Sequence, residues 1–225
     1  MARNMRSIRR KKKLNSSVLD LAKRRKTVRR FSSDPVDLRG IIVALEAACQ
    51  APSGANYQPW RFLIVTDPVI KRRVRQVCES GEREFYSNLK GKLKKWLLSK
   101  GLSWNKAFLE EAPFLILVFS DSKAPYSIQS VWLAIGYILL ALEELGLSTV
   151  PYTPSITKAI QDETGIPDGF RLQAILPVGV SADEKPKEPR LGIHEVSYMN
   201  LWGKRLNSAD RSSRIASRSG GALRR

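Results

Sequence analysis

The sequence predicts an α+β fold, with a mixed central sheet flanked by helices. Three observations carry that reading. Short apolar runs suited to strands alternate with longer stretches of helical periodicity. One run, 114–119, is apolar on both faces, as a central strand is. The chain has 225 residues, 43% hydrophobic and 27% charged, enough for one substantial core and too apolar for wholesale disorder.

The elements follow in order. Residues 1–17 are polar, basic and aperiodic, so they read as a flexible arm. Residues 18–25 form a short helix, and 27–31 are extended. Ser32-Ser33-Asp34-Pro35 makes a turn and supplies a helix start. Leu38, Ile41, Ile42, Leu45, Ala48 and Cys49 recur at helical spacing, so 37–51 is an amphipathic helix, broken at 52–56. The apolar run 62–65 is a strand. Asp67-Pro68 caps the next helix, whose apolar face holds Ile70, Val74 and Val77. Residues 81–106 are polar and basic and contain Gly91 and Gly101, a composition suited to a mobile helical excursion. Pro113 opens the strand 114–119. A helix over about 128–145 ends at Gly146, with a strand near 148–152, a short helix over 154–163 and a strand over 174–180 after it. Residues 183–190 are a charged, Pro-containing loop. From Ser208 onward Ser, Arg and Gly dominate, which predicts disorder.

The net charge is +18, and its placement matters more than its size. Residues 1–30 hold 13 Lys/Arg against one acid, and 204–225 hold 7 against one; the stretch between them is neutral. This disfavours a uniformly basic nucleic-acid-binding body. It leaves a neutral domain, 18–203, with basic ends capable of weak polyanion contact. Cys49 and Cys78 make no disulfide framework, and the single His194 leaves no Cys/His metal site, so no metal is expected. A reducing, cytoplasmic setting follows from the same count. The longest greasy run, 131–142, falls short of the ~20 residues of a membrane span and reads as a buried helix.

A Ser-His-Asp hydrolase is disfavoured by the single His and the lack of G-x-S-x-G. A P-loop lysine and G-x-G-x-x-G are also missing. Two segments remain. In the first, 24–31, an extended chain would point Arg25, Thr27 and Arg29 to one side: two guanidiniums and a hydroxyl, able to hold a phosphate and an electron-rich ring. By itself it also reads as a solvated basic arm. In the second, Ala51-Pro52-Ser53-Gly54-Ala55-Asn56-Tyr57-Gln58-Pro59-Trp60, Gly54 allows close backbone approach and the polar side chains offer a hydroxyl and amides. By itself it is an ordinary helix-to-strand loop.

Taken together, R-[RK]-[ST]-V-R-x-F-S followed some twenty-five residues later by A-P-S-G-A-N-x-Q-P-W-R-F resembles the FMN-dependent nitroreductase family, over roughly 18–200. The resemblance implies an interlocked homodimer with FMN at the subunit interface. It assigns Arg25, Lys26 and Thr27 to the FMN phosphate and Arg29 to the flavin edge where reduction builds negative charge. It assigns Pro52, Ser53 and Gly54 to the loop reaching the partner's flavin, and Arg190 to a further phosphate contact. Electrons would come from NAD(P)H or a reductase partner.

Glu82 and Tyr86, four apart on one helix face, and Lys106 before Glu111-Ala112-Pro113 resemble the iodotyrosine deiodinase branch of that family. There a Glu, a Tyr and a Lys of an active-site lid, here about 81–106, grip an amino-acid zwitterion above the flavin. Ala55 is assigned to the substrate, and Thr153 is assigned as the catalytic hydroxyl at flavin N5 that favours single-electron steps. The resemblance therefore implies reductive dehalogenation of halotyrosines. The alternatives are a general NAD(P)H nitro- or quinone reductase acting on planar aromatics, and a basic-tailed polyanion-binding module.

Overall fold

A computed structural model describes residues 17–206. The chain divides into a unit ending at Lys187 and a second beginning at Glu188. The basic arm up to residue 16 and the tail from residue 207 lie outside the described residues, and so does the polyanion contact expected of them.

In the first unit, helix α1 (Val18–Arg24) begins at a capping box: Ser17 Oγ accepts from the Asp20 N–H and the Asp20 carboxylate reaches back to Ser17. Helix α2 (Leu38–Cys49) is capped by Asp37. Its Ile41, Ala44 and Ala48 enter the core, whereas Leu38, Ile42 and Cys49 of the same apolar stripe stay exposed. Strand β1 (Trp60–Val65) leads into α3 (Pro68–Asn88), where Asp67 Oδ1 accepts from the N–H groups of Val69 and Ile70. Helices α4 (Gly91–Ser99) and α5 (Phe108–Glu111) precede strand β2 (Phe114–Asp121). Helix α6 (Ser127–Glu144), strand β3 (Ser148–Thr149), helix α7 (Lys158–Thr164) and strand β4 (Phe170–Gly179) complete the unit.

The sheet order is β1-β2-β4-β3, and all three ladders are antiparallel. The sheet was expected to be mixed; among the described residues parallel pairing is confined to one bridge, Thr27 to Thr149. Apolar runs report burial and carry no strand direction, which is why composition could not settle this. Strand β2 is central, as its doubly apolar run predicts. Its alternate residues divide between two cores. Leu115, Leu117 and Phe119 face Val74 and Cys78 of α3, Leu109 of α5 and Ile160 of α7. Ile116 and Val118 face α2 and the Val131, Ala134, Ile135, Ile138 and Leu142 face of α6. Helix α6 is long and apolar enough to cross a membrane by length and composition, yet that face is packed on the sheet as a core helix.

Three boundaries differ from the sequence reading by more than two residues. Pro151 has no N–H for a ladder, so the strand near 148–152 reduces to β3 plus an isolated bridge between Tyr152 and Ile175. The helix expected over 154–163 starts only after Thr157 and ends at Gly165, whose φ is +69°. Strand β4 begins four residues before the expected 174, at Phe170.

The second unit contains a single-turn helix, α8 (Ile193–Val196), and a bridge between Tyr198 and Arg205. His194 Nδ1 lies 2.9 Å from the Leu206 carbonyl oxygen.

Candidate active site

The segment after α1 is extended and pinned on both sides. Thr27 bridges Thr149, and Val28 donates to the Thr149 carbonyl at 3.2 Å. Phe31 bridges Ser181, and Ala182 donates to the Arg30 carbonyl. Val28 is fully buried, which places Thr27 and Arg29 on the opposite side of the chain. Lys26 points elsewhere: its Nζ donates to the carbonyls of Asp183 and Lys185 at 2.5 and 2.7 Å. Arg29 donates its N–H to Asp183 at 3.3 Å. Desolvation lowers the Arg29 guanidinium from its usual value, opposed chiefly by the charge of Asp183, and it stays cationic at neutral pH.

The loop after α2 is strained. Ala55, Asn56 and Gln58 have φ of 48°, 57° and 48°, and Tyr126, at the start of α6, has 50°. Hydrogen bonds tie this loop to the start of α6. Gly54 donates its N–H to Ser130 Oγ at 3.2 Å, and Ser130 Oγ donates to the Tyr126 carbonyl. Ser53 Oγ accepts from the Gln58 N–H at 3.0 Å. A Cβ on Gly54 would sit 2.8 Å from the Tyr126 ring and 3.2 Å from the Pro125 carbonyl oxygen, so the glycine is required by close approach.

Glu82, Tyr86 and Lys106 meet. Glu82 Oε2 lies 2.9 Å from Lys106 Nζ, and the Lys106 ammonium lies 5.2 Å from the Tyr86 ring centroid. Both charged side chains are about nine-tenths buried. Lys106 is fixed at two further points: its N–H donates to Glu79 Oε1 at 2.9 Å and its Nζ to the Ser103 carbonyl at 2.6 Å. Glu79 is held in turn by Arg75 at 2.7 Å. Burial and the Glu82 charge raise the Tyr86 phenol, and Arg29 opposes them, so the charges of the extended segment are felt at the lid.

Two residues of this cluster escaped the sequence reading. Tyr152 donates its hydroxyl to Glu82 Oε1 at 3.0 Å, and its ring lies 5.7 Å from both Lys106 Nζ and the Phe108 ring. Burial first, then the negative charge of Glu82, pushes that phenol far up, so it is a neutral donor. Cys78 lies in the same core, its thiol pushed up to about 12 chiefly by burial. Glu79 is the second omission; the i,i+4 pattern with Arg75 looks like an exposed helix pair, and only burial distinguishes it.

Thr153 is exposed between two buried residues, Tyr152 and Pro154. Arg190 belongs to the second unit, where its guanidinium donates to the carbonyls of Glu188 and Pro189 at 2.9 and 3.1 Å. An open cleft of about 330 Å³ is lined by Gly81, Glu84, Phe85, Leu89, Ser155 and Ile156. A second, of about 250 Å³, runs along β1 beside Asp67 and Glu163 and touches none of the site residues above.

The donor set around residues 25–29 fits a phosphate-bearing, electron-accepting ring system: two guanidiniums and a threonine hydroxyl on one extended segment. Beside it, the Thr149 hydroxyl is buried and makes no hydrogen bond among the described residues, an open polar position at the strand that holds Thr27.

Comparison with known proteins agrees with this geometry. The nitroreductase family profile matches residues 22–180. An iodotyrosine deiodinase of Thermotoga neapolitana is 55% identical over 171 residues, 76% of this chain and 92% of that protein. One from Haliscomenobacter hydrossis is 37% identical, over 71% of this chain and 77% of its own. A crystal structure of oxidized iodotyrosine deiodinase bound to FMN and 3-iodo-L-tyrosine is similar with a TM-score of 0.79 and 52% identity, covering 82% of this chain and all of that one.

Proposed function

The chain belongs to the nitroreductase family, and from that premise we propose that it is an FMN-dependent oxidoreductase that reductively dehalogenates halotyrosines. The observation that carries the substrate class is the buried pair of Glu82 and Lys106 beside Tyr86. A carboxylate and an ammonium kept out of water must stay compensated. An amino-acid zwitterion can take the place of that pairing: its ammonium goes to Glu82 and its carboxylate to Lys106, and neither buried charge is left alone. A ligand with only one of the two charges strands the other partner, so zwitterion selectivity is built into the pair.

FMN, when bound, supplies the two electrons that, with one proton, replace halide by hydrogen on the phenol ring. Arg25, Thr27 and Arg29 are the residues proposed to hold it, with Lys26 supporting the loop that carries Asp183. Pro52, Ser53 and Gly54 are proposed to approach the partner's cofactor, with Ala55 against the substrate. Thr153, exposed at the end of the bridge to β4, is proposed as the hydroxyl at the flavin. Tyr86 and Lys106 orient the amino acid and, together with α4, exclude water.

A homodimer is part of the proposal, as are NAD(P)H or a reductase partner as electron source. Two free cysteines, one of them exposed, fit a reducing, cytoplasmic setting.

The test is anaerobic addition of 3-iodotyrosine to the dithionite-reduced, FMN-loaded protein. Reoxidation with one iodide and one tyrosine released per flavin is the expected result. A reduced flavin that ignores iodotyrosine yet reduces a nitroarene would move the assignment to a general nitro- or quinone reductase.

A further inference from the structure

We infer that Tyr152 is the positioning residue that makes Glu82 a receptor for the substrate ammonium; the inference rests on the zwitterion reading above. The two oxygens of the Glu82 carboxylate have different partners. Oε2 takes Lys106 Nζ at 2.9 Å, and Oε1 takes the Tyr152 hydroxyl at 3.0 Å. When a zwitterion enters, Lys106 turns to the ligand's carboxylate and Oε2 turns to its ammonium. The bond at Oε1 need not change.

The Tyr152 hydroxyl is well suited to stay fixed. Its backbone is bonded to β4 in both directions, Tyr152 N–H to the Ile175 carbonyl at 3.0 Å and Ile175 N–H to the Tyr152 carbonyl at 2.8 Å. Its ring packs edge-on against Phe108. Glu82 sits on a helix and reaches the site through a flexible side chain. Tyr152 therefore ties that carboxylate to the sheet and aims its other oxygen. Cys78, beside the hydroxyl, is buried and neutral, so the anionic acceptor open to Tyr152 there is Glu82. Without the hydroxyl, Oε1 becomes a buried acceptor with no donor and the carboxylate loses its fixed direction.

The experiment compares the FMN-loaded wild type with Tyr152→Phe, which keeps the ring and its contacts, by calorimetric titration. The ligands are 3-iodotyrosine and 3-(4-hydroxy-3-iodophenyl)propanoate, which lacks the ammonium. Tyr152→Phe is expected to weaken iodotyrosine about tenfold, the loss of one hydrogen bond to a charged group, and to leave the propanoate within about twofold. In a Glu82→Gln background the same substitution is expected to have little further effect on iodotyrosine. Equal loss of both ligands would make Tyr152 a packing residue and overturn the inference. Unchanged iodotyrosine binding in Tyr152→Phe, with a wild type that prefers iodotyrosine, would overturn it while sparing the parent reading. A wild type that does not prefer iodotyrosine to the propanoate overturns both.

Discussion

Glu82 and Lys106 are each costly to bury and tolerable only as a pair, which gives single-residue changes a definite sign. Lys106→Met leaves the Glu82 carboxylate uncompensated in a site about nine-tenths closed to water. It is expected to destabilise the fold by about 3 kcal/mol and to abolish tight iodotyrosine binding. Adding Glu82→Gln to that variant removes the orphaned charge, so the urea midpoint is expected to recover while binding does not. A midpoint that fails to move in either variant would mean the pair is solvated in solution. The cysteines make a second residue-scale case. Cys49 is exposed and Cys78 buried with its thiol pushed up to about 12, so the native protein is expected to label one thiol per chain at pH 8 and the urea-unfolded protein two. The linkage has the same origin. A group whose folded pKa is raised binds its proton more tightly in the native state, so its contribution is full below the unfolded value near 9 and is lost as pH rises toward 12. Tyr86 and Tyr152 are raised too and act in the same direction. Stability is expected to fall above pH 9, with a shallower slope in Cys78→Ala, as read from urea midpoints against pH.

At the scale of elements, α3 connects the fold to the site. It starts at a cap visible in the sequence, Asp67-Pro68, and carries Glu79 and Glu82 along one buried side. Asp67→Ala removes the acceptor for two helix N–H groups and is expected to cost about 1 kcal/mol, with iodotyrosine affinity unchanged because the cap lies four turns from Glu82. A large change in affinity would mean that helix stability and site geometry are coupled. The same helix marks what was legible. Its start, its core position Val74, and the placing of Glu82 and Tyr86 on one face follow from spacing alone or with the family likeness, whereas Ile70 of the expected apolar face is exposed and Cys78, outside that expected face, is buried. Its extent does not: the polar run from residue 81 looks like a departure from the core, yet Gly81 and Glu82 are buried, with Ile156 in the space a Cβ on Gly81 would need. Local composition cannot report a contact with a loop more than seventy residues away. Tyr152 was read as part of a strand for that reason, since its hydroxyl acquires meaning only when β4 places it beside α3. The antiparallel direction of the sheet was invisible for a related cause, because β2 is equally apolar to either neighbour.

For the whole molecule, the apolar surface left over by the fold argues for a second copy of the chain. Helix α6 buries one face on the sheet and leaves Ile128, Trp132, Leu133 and Tyr137 substantially exposed, at positions that recur along one side of the helix. Helix α2 packs beside it and exposes Leu38, Ile42 and Val43. Monomers rarely leave so many large apolar side chains on neighbouring helices in water, and a two-fold dimer buries such a face against itself. The strained loop at Ala55, Asn56 and Gln58 is anchored to the start of that same α6 through Gly54 and Ser130. If the loop reaches the partner's cofactor as proposed, dimerisation and FMN binding must fail together. The wild type is expected to sediment at twice the chain mass with flavin bound. Trp132→Glu combined with Leu133→Lys is expected to sediment as a folded monomer and to lose FMN on gel filtration, although it alters none of Arg25, Thr27 or Arg29. A variant that becomes monomeric yet keeps its flavin would place the whole cofactor site within one chain and remove the loop from it. A variant that stays dimeric would place the interface elsewhere on the molecule.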